Sequence, residues 1–297
     1  MRIARRRFVT SVAAALVASR VCAQARAGDV LVRAIPHSGE RIPCVGLGTA
    51  WVYDRDADAT RKAAGEVLRA LIDAGGRLVD TASTYGEAEA VLGAAIVAQG
   101  LRDRLFIATK VEEPDDAEFR RSLARLRTPK VDLLQLHNVR DPRQSLAKFR
   151  EWKAQGLCRY IGITSTYHDD FDAVAAVLAR EKPDFVQIDY SIDNRLAERR
   201  ILPLAADTGA AVLTALPFGR ARLFRAVRDK TLPEWATPFA GTWAQFFLKF
   251  LLADPRVTAV IPGTANAAHM ADNAAAMRGR LPDAGERQRM VAYVERL

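Results

Sequence analysis

Four side chains that can do acid–base chemistry stand at or near the ends of apolar runs in this sequence. Asp80 follows Arg-Leu-Val, Lys110 follows Leu-Phe-Ile-Ala-Thr and His137 follows Val-Asp-Leu-Leu-Gln-Leu, while Tyr85 comes five residues after Asp80. An unpaired charge at the edge of a core costs several kcal/mol, so three strand ends of this kind indicate a functional site. We expect the four side chains to meet where parallel strands end together.

These four groups together suit the protonation of a carbonyl oxygen. A phenol has an ordinary pKa of about 10, and a neighbouring Lys110 ammonium would lower the pKa of Tyr85. Asp80 would hold Lys110 in a buried ion pair, and His137 would donate a hydrogen bond to the substrate carbonyl. The set offers no nucleophile, and the four histidines are scattered along the chain, so the electrons must come from a cofactor.

The elements that must position these residues alternate between strand-like and helical patterns. Strand-like runs occupy 44–48, 77–80, 104–110, 131–137, 160–164, 185–191, 211–216 and 257–262. Helical spacing occurs at 60–73, 86–98, 116–126, 143–154, 169–180, 197–207 and 243–252, and again at 266–277 and 283–296. This alternation predicts an α/β fold, a (β/α)8 TIM barrel.

The predicted barrel is one domain covering 28–297, and a short N-terminal β-hairpin (30–35 and 41–45) precedes its first strand. An open doubly wound sheet is the alternative, but the segment after the first strand lacks the third glycine of a nucleotide-binding turn. The loop 217–242, rich in proline and glycine, is expected to extend over the mouth of the barrel. The acidic run 112–116 is interpreted as the loop that starts the next helix.

Residues 1–25 have the composition of an export signal. A basic start containing the pair Arg5 and Arg6 is followed by an apolar run at 12–18 and by Ala-Gln-Ala at 23–25. The pattern predicts a twin-arginine signal peptide and a periplasmic protein, with the twin-arginine export machinery as a partner. An ordinary secretory signal or a retained anchor are the alternatives. The apolar run is too short to span a membrane, so no membrane association is expected after cleavage.

Charge and cysteine content exclude some classes of protein. The net charge is +9, but five arginines fall within the signal, and removing them leaves +4 with no basic run interleaved with aromatic residues. We therefore expect no nucleic-acid partner. Cys44 and Cys158 lie in apolar contexts, which predicts two buried free thiols, with one disulfide as the alternative. The sequence does not indicate an oligomeric state.

The segment 80–93, Asp-Thr-Ala-Ser-Thr-Tyr-Gly-Glu-Ala-Glu-Ala-Val-Leu-Gly, resembles the first signature of the aldo/keto reductases. The segments 108–110 and 122–137 resemble the signatures that follow, and the similarity extends over 42–277. The resemblance implies a barrel that binds NADPH or NADH without a Rossmann motif. It also implies roles for the four residues: Tyr85 as general acid, Lys110 as the group that adjusts its pKa, Asp80 as the partner of Lys110, and His137 as the residue that orients the carbonyl.

The resemblance further implies sets of cofactor and substrate contacts. The expected cofactor-binding residues are Gly48, Thr49, Asp80, Thr164, Ser165, Gln187, Pro217, Gly219, Thr264 and Asn273. The expected substrate-binding residues are Trp51, Tyr85 and His137. Simpler interpretations remain open, because Gln187 could satisfy buried backbone groups, Trp51 could pack at the rim, and Thr264 could cap a helix.

The chain departs from the family pattern where a 2′-phosphate would bind. Gly263 replaces a lysine and His269 replaces an arginine. A charge-assisted hydrogen bond to a phosphate is worth about 1.5–3 kcal/mol, so without these two cations the choice between NADPH and NADH stays open. Arg220 or Arg222 could bind the pyrophosphate instead. Thr164 and Ser165 also stand where the family usually has Ser-Asn.

Three functions compete at this point. The first is an NAD(P)H-dependent oxidoreductase that reduces a small-molecule aldehyde or ketone to an alcohol. The second is a reductase-like protein that binds or senses nicotinamide with little turnover. The third is a barrel hydrolase or isomerase that uses Asp80 and His137, which the lack of a second strand-end carboxylate disfavours.

Overall fold

The computed structural model describes residues 29–297, and the predicted signal at 1–25 lies outside the described residues. The strands are β1 (Val32–Ala34), β2 (Arg41–Pro43), β3 (Leu47–Gly48), β4 (Leu78–Asp80), β5 (Phe106–Val111), β6 (Val131–Leu136), β7 (Cys158–Ser165), β8 (Phe185–Asp189), β9 (Ala211–Ala215) and β10 (Ala259–Val260). The α-helices are α1 (Asp58–Asp73), α2 (Ala88–Gln99), α3 (Asp116–Arg125), α4 (Ala147–Ala154), α5 (Phe171–Glu181), α6 (Ile201–Thr208), α7 (Arg222–Ala226), α8 (Trp243–Leu252), α9 (Ala267–Ala275) and α10 (Ala284–Val294).

Strands β3 to β10 form one parallel sheet in chain order that closes into a barrel. Each strand pairs with the next, and the first and last of them meet across a seam of backbone hydrogen bonds. At this seam Gly46 N donates to Val260 O at 2.8 Å, and Val260 N donates to Cys44 O at 2.9 Å. The predicted (β/α)8 TIM barrel is confirmed.

The side chains of each strand divide between two apolar layers. The inward-facing set forms a separate cluster inside the barrel, with Leu78, Phe106, Leu133, Tyr160, Phe185, Leu213 and Ala259 among its members. Their neighbours along the chain, such as Val79, Ile107 and Leu134, belong to the larger layer shared with the helices. Alternation along a strand explains this division, because successive side chains point to opposite faces.

The predicted N-terminal hairpin is present as the antiparallel pair β1–β2. Ile35 and Ile42 are fully buried and belong to the apolar cluster inside the barrel, so the hairpin closes the N-terminal end of the strands. Polar residues surround this plug. Glu40 accepts hydrogen bonds from Arg77 Nη2 at 2.8 Å and from the Tyr160 hydroxyl at 2.7 Å, and its carboxylate also pairs with Arg159.

Two segments differ from the sequence-based expectation. The loop 217–242 is not wholly irregular, since it contains α7 and a short 3-10 helix at Glu234–Ala236. The helix expected at 197–207 begins only at Ile201, with a 3-10 turn at Leu196–Arg199 before it. Pro203 explains the late start, because proline lacks an N–H and is tolerated only in the first turn of an α-helix.

Cys44 and Cys158 are buried free thiols, as predicted. Burial raises the pKa of each thiol to about 12, so both are protonated and unreactive. Within 29–297, none of the helices is long and apolar enough to cross a bilayer.

Candidate active site

Three neighbouring strands bring Asp80, Lys110 and His137 to one end of the barrel. Asp80 ends β4, Lys110 is the fifth residue of β5, and His137 directly follows β6. The strands are in register, with Asp80 beside Ala108 and Lys110 beside Gln135. Because the strands are parallel, their carboxyl ends open on the same side, and the predicted cluster forms.

A buried ion pair is the centre of the cluster. Lys110 Nζ lies 2.6 Å from Asp80 Oδ2 and donates to Thr81 O at 2.8 Å, and both charged side chains are almost fully buried. Burial disfavours the Lys110 ammonium, but the Asp80 carboxylate outweighs it, and the pKa of Lys110 lies above its ordinary value. Lys110 is therefore a fixed positive charge.

Two glutamine amides complete the surroundings of Asp80. Gln135 Nε2 donates to Asp80 Oδ1 at 3.1 Å, and Gln187 Nε2 donates to Asp80 Oδ2 at 3.4 Å. The Thr49 hydroxyl donates to the Asp80 backbone carbonyl at 3.0 Å. Asp80 is thus held in one orientation from three sides, which in turn fixes the position of Lys110.

Tyr85 lies over this pair at the edge of the cavity. Lys110 Nζ is 5.0 Å from the centroid of its ring. Burial raises the pKa of Tyr85, and the Lys110 charge offsets that rise only in part. The direction is opposite to the lowering expected from the sequence, because the sequence does not reveal how deeply the ring is buried. The phenol is consequently protonated at neutral pH, as a proton donor must be, and the Lys110 ammonium is close enough to stabilise a phenolate.

His137 packs edge-on against Tyr85, with ring centroids 5.7 Å apart. Its Nδ1 lies 2.7 Å from Glu112 Oε1 and 3.4 Å from the Thr84 hydroxyl. Burial, followed by the Lys110 and Arg140 charges, lowers the pKa of His137 to about 3. His137 is not among the residues that line the cavity, so its role in orienting a substrate oxygen stays a prediction. A neutral ring does not compete with Tyr85 as an acid.

Glu112 is a close neighbour of His137 that the sequence pattern did not single out. The pattern places it in the loop before α3, and that interpretation holds for Asp115, whose side chain accepts from Ala117 N and Glu118 N as the N-cap. Glu112 stands two residues after Lys110, however, and residues two apart on a strand face the same side. The two-residue spacing between Lys110 and Glu112 was therefore the feature of the sequence that could have identified Glu112 as a neighbour of the cluster.

A cavity of about 680 Å³ opens at the C-terminal end of the strands. Nine of the predicted site residues line it: Gly48, Thr49, Trp51, Asp80, Tyr85, Gln187, Pro217, Thr264 and Asn273. Lys110 lies behind the wall, in contact with Asp80. The volume is in the range of cofactor and small-ligand sites.

The remaining predicted cofactor residues lie outside the lining of this cavity, and their roles stay predictions. Thr164 and Ser165 are buried at the end of β7. The Ser165 hydroxyl donates to Asp170 Oδ2 at 2.7 Å and accepts from Tyr167 N at 3.1 Å, so it is engaged by the turn that follows. Gly219 has a φ of +55° in the loop after β9, a conformation that favours glycine.

The cavity wall fits a nicotinamide dinucleotide. Gln187 Oε1 is buried and has no hydrogen-bond partner among residues 29–297, so it is an acceptor suited to the N–H of a carboxamide. A Cβ on Gly48 would lie 2.7 Å from the Ile261 carbonyl, so only glycine allows this approach of β3 to the segment after β10. When bound, a reduced nicotinamide supplies the hydride.

A further part of the cavity wall comes from the segment around α9. Thr264, His269, Asp272 and Asn273 line it. Thr264 is not the cap of α9, because Asn266 is the N-cap and accepts from Ala268 N and His269 N. The Asp272 carboxylate accepts hydrogen bonds from the Thr242 hydroxyl and from Gln245 Nε2.

Positive charge is sparse around the cavity. In the part of the chain that the structure describes, Arg220 is the one arginine or lysine in the lining. Its guanidinium stacks over the ring of Trp51 at 5.0 Å, whereas Arg222 pairs with Asp193 at 2.7 Å. Trp51 is 67% exposed, which places this stacked pair at the mouth.

Comparison with known proteins agrees with this geometry. The sequence model of the aldo/keto reductase family matches residues 44–288. The chain is 30% identical over 264 residues to methylglyoxal reductase YeaE of Escherichia coli K12, covering 84% of this chain and 91% of that protein. It is also 30% identical over 252 residues to methylglyoxal reductase DkgB of Yersinia pestis, covering 80% and 88%.

Solved structures give the same result. An aldo-keto reductase from Klebsiella pneumoniae in complex with NADPH superposes with a TM-score of 0.76 at 27% identity, covering 90% of this chain and 96% of that one. The protein therefore belongs to the aldo/keto reductase family. It is an NAD(P)H-dependent oxidoreductase that reduces carbonyl groups to alcohols, which confirms the predicted class, cofactor type and reaction.

Proposed function

We propose that this protein is an exported, periplasmic reductase of small aldehydes and ketones, with 2-oxoaldehydes such as methylglyoxal as its substrate class. The relatives named methylglyoxal reductases support the substrate class. The arginine pair at Arg5 and Arg6, followed by an apolar run and Ala-Gln-Ala, supports export by the twin-arginine route.

The single observation that carries the catalytic proposal is the Asp80–Lys110 pair behind Tyr85 at the cavity wall. A carbonyl oxygen held against Tyr85 and His137 receives the phenolic proton as negative charge develops on that oxygen. The Lys110 ammonium stabilises the phenolate, and Asp80 keeps the ammonium in place.

The lining favours a small substrate. Trp51, Phe218, Phe224 and Trp243 give the cavity a largely apolar wall. The same 680 Å³ must admit the reactive end of the dinucleotide together with the substrate. The space left over suits a short-chain carbonyl compound better than a bulky one.

Replacing Tyr85 tests the chemistry. We expect Tyr85→Phe to lower kcat/KM for methylglyoxal reduction by about 10²–10⁴-fold, because the variant has no proton to donate. Tyr167→Phe, at a ring that is 49% exposed, is the matched control and should leave kcat/KM unchanged. Undiminished turnover in Tyr85→Phe would refute the assigned role. Dinucleotide binding without turnover of any aldehyde or ketone by the wild type would favour the sensor alternative.

Export is tested with the natural leader. Arg5→Lys with Arg6→Lys should abolish accumulation in the periplasm, measured by immunoblotting of fractionated cells. Mass spectrometry of protein recovered from the periplasm should show an N-terminus near residue 26 and a bound dinucleotide, since a folded protein could carry its cofactor through export. Wild-type protein confined to the cytoplasm would contradict export, and apo protein in the periplasm would contradict carried cofactor.

A further inference from the structure

The cavity continues from Tyr85 to the start of α8 and to α9. In the register of β3 and β4, Gly48 lies beside Asp80, and on its other side Gly48 bridges to Gly263 after β10. From there the lining passes to Asp272 of α9. A dinucleotide that places its nicotinamide beside Tyr85 therefore has its adenosine in the part of the cavity next to α8 and α9.

Asn273 marks this part of the cavity as a place for a ligand. The residue is only 4% exposed and lines the cavity, and its side-chain amide forms no hydrogen bond within residues 29–297. A carboxamide has two N–H donors and one acceptor oxygen, and such groups are rarely left without partners when buried. The donors and acceptors on the edge of an adenine base would complete it.

Asp272 places a negative charge at the start of α8. Its Oδ2 accepts a hydrogen bond from the Thr242 hydroxyl at 2.8 Å, and its Oδ1 accepts one from Gln245 Nε2 at 2.6 Å. Thr242 is the N-cap of α8, and Gln245 is the third residue of that helix. The amino end of a helix attracts anions, and here the carboxylate of the protein itself already lies at that end. A phosphate group of a ligand would have to share this position with Asp272.

No positive side chain neutralises Asp272 in the part of the chain that the structure describes. Both of its hydrogen-bond donors are uncharged, and it forms no ion pair, not even with His269 in the same lining. Arg220 is stacked over the ring of Trp51, in the segment that follows β3. At that position Arg220 can attract a diphosphate, but it does not balance the charge beside α8.

We propose that this reductase binds NADH in preference to NADPH, and that the Asp272 carboxylate is the residue that disfavours the 2′-phosphate. A phosphate monoester carries a charge of about −1.5 to −2 at neutral pH. Next to α8 and α9 that group would meet a like charge without a lysine or arginine to offset it. Asp272 is thus a specificity-determining residue for the cofactor.

The 2′-hydroxyl of NADH has no such cost. It is uncharged, and a carboxylate has about four acceptor positions, so Asp272 can accept a hydrogen bond from it in addition to those from Thr242 and Gln245. In other dinucleotide-binding folds, an acidic residue beside the ribose goes with NAD and an arginine goes with NADP. The inference concerns dinucleotide binding alone and does not depend on the proposed substrate or on export.

Binding titrations of the purified protein with both dinucleotides test the preference. The fluorescence of the reduced nicotinamide, or its quenching of protein tryptophan, gives a Kd for each. We expect the Kd of NADPH to exceed that of NADH by about tenfold or more, because like charges brought together at a binding site are strongly unfavourable. Equal affinities, or tighter binding of NADPH, would overturn the proposal.

Asp272→Asn tests the role of the carboxylate. The variant keeps the size of the side chain and an acceptor oxygen for Thr242 but removes the charge, so the Kd of NADPH should fall about tenfold while that of NADH changes much less. Asp207→Asn removes the same charge at an exposed position near the end of α6 and should keep the wild-type ratio. An unchanged ratio in Asp272→Asn, or an equal change in Asp207→Asn, would overturn the assignment.

A second measurement uses only the wild-type protein. Salt screens the repulsion between charges, so the ratio of the NADPH Kd to the NADH Kd should fall as the salt concentration rises from about 0.05 M to about 0.5 M. A ratio that stays constant or rises would overturn repulsion as the cause. Neither measurement involves turnover, so a protein that shows the preference but reduces no aldehyde or ketone would refute only the proposed function. Equal affinities in an active reductase would refute only the preference.

Discussion

The two ends of the barrel differ in whether their buried or half-buried polar side chains have hydrogen-bond partners. At the closed N-terminal end, Glu40 is paired with Arg77, Tyr160 and Arg159. At the open end, Gln135 Oε1 and Gln187 Oε1 are buried without a partner in the described chain. Unpartnered buried oxygens are costly in a folded protein, and Gln187, which lines the cavity, presents one that a ligand can complete. One end serves stability and the other serves binding.

Backbone strain is more frequent at the open end but is not confined to it, since Arg127 and Lys182, in loops that lead into β6 and β8, also have a positive φ. Trp51, Leu216, Arg220 and Ala221 at the open end all have φ between 53° and 63°. Side chains in this left-handed region cost roughly 1–2 kcal/mol each, and such strain gathers at functional sites. In the hairpin at the closed end, the corresponding conformation falls on Gly39, where it costs little.

Removing the buried cation of the open end should have the largest effect. Lys110→Met leaves Asp80 as an uncompensated buried charge and should lower the free energy of unfolding by about 3–5 kcal/mol, in addition to abolishing turnover. Urea unfolding followed by circular dichroism measures the loss. The double variant Asp80→Asn with Lys110→Met should recover much of the stability but none of the activity.

The matched control is a lysine near the closed end. Lys153 pairs with Asp184 at 2.6 Å but is 38% exposed, so Lys153→Met should cost no more than about 1 kcal/mol. If the two lysine variants were equally unstable, the Asp80–Lys110 pair would not be the buried ion pair described above.

An intermediate effect is expected at Glu40, with stability changed and catalysis unchanged. Burial opposes ionisation of Glu40, but the Tyr160 hydrogen bond, the Arg159 charge and the Arg77 hydrogen bond outweigh it and lower its pKa. Glu40→Gln should therefore reduce the free energy of unfolding by about 1–3 kcal/mol near neutral pH. A carboxyl group whose pKa is lowered by folding stabilises above its unfolded pKa, and that contribution fades as pH falls through the folded value.

Two measurements check the prediction that Glu40→Gln changes stability but not catalysis. The difference in unfolding free energy between wild type and Glu40→Gln should shrink on acidification, and kcat/KM should be equal at neutral pH. A loss of activity in this variant would show that the closed end is not independent of the open end.

The smallest expected effect concerns the choice of cofactor. His269→Arg places a guanidinium on the cavity wall and should tighten NADPH binding about tenfold, or about 1.4 kcal/mol, while NADH binding is unchanged. His269 is a better position than Gly263, where a Cβ would lie 3.3 Å from the Gly48 carbonyl. Fluorescence titration with both nucleotides measures the ratio. Ala268→Arg, exposed one residue earlier, is the control, and an equal gain there would mean a non-specific charge effect.

The position of the cluster formed by Asp80, Lys110 and His137 was predictable from the sequence, but its electrostatics were not. Asp80, Lys110 and His137 could be placed together because parallel strands of a closed barrel end on one side, which is a property of the pattern. The rise in the pKa of Tyr85 and the contact of Glu112 with His137 depend on burial and on how a loop turns after β5. These are tertiary properties that local spacing does not determine.

The seam between β3 and β10 sets the order of events during protein synthesis. These strands are roughly 210 residues apart in the chain, yet each needs the other to close the barrel. Gly48 and Asn273, which both line the cavity, therefore come together only after nearly the whole polypeptide has left the ribosome. A dinucleotide cannot be captured during translation. If the protein is exported as proposed, the interval between release from the ribosome and transport is the time in which it must bind its cofactor.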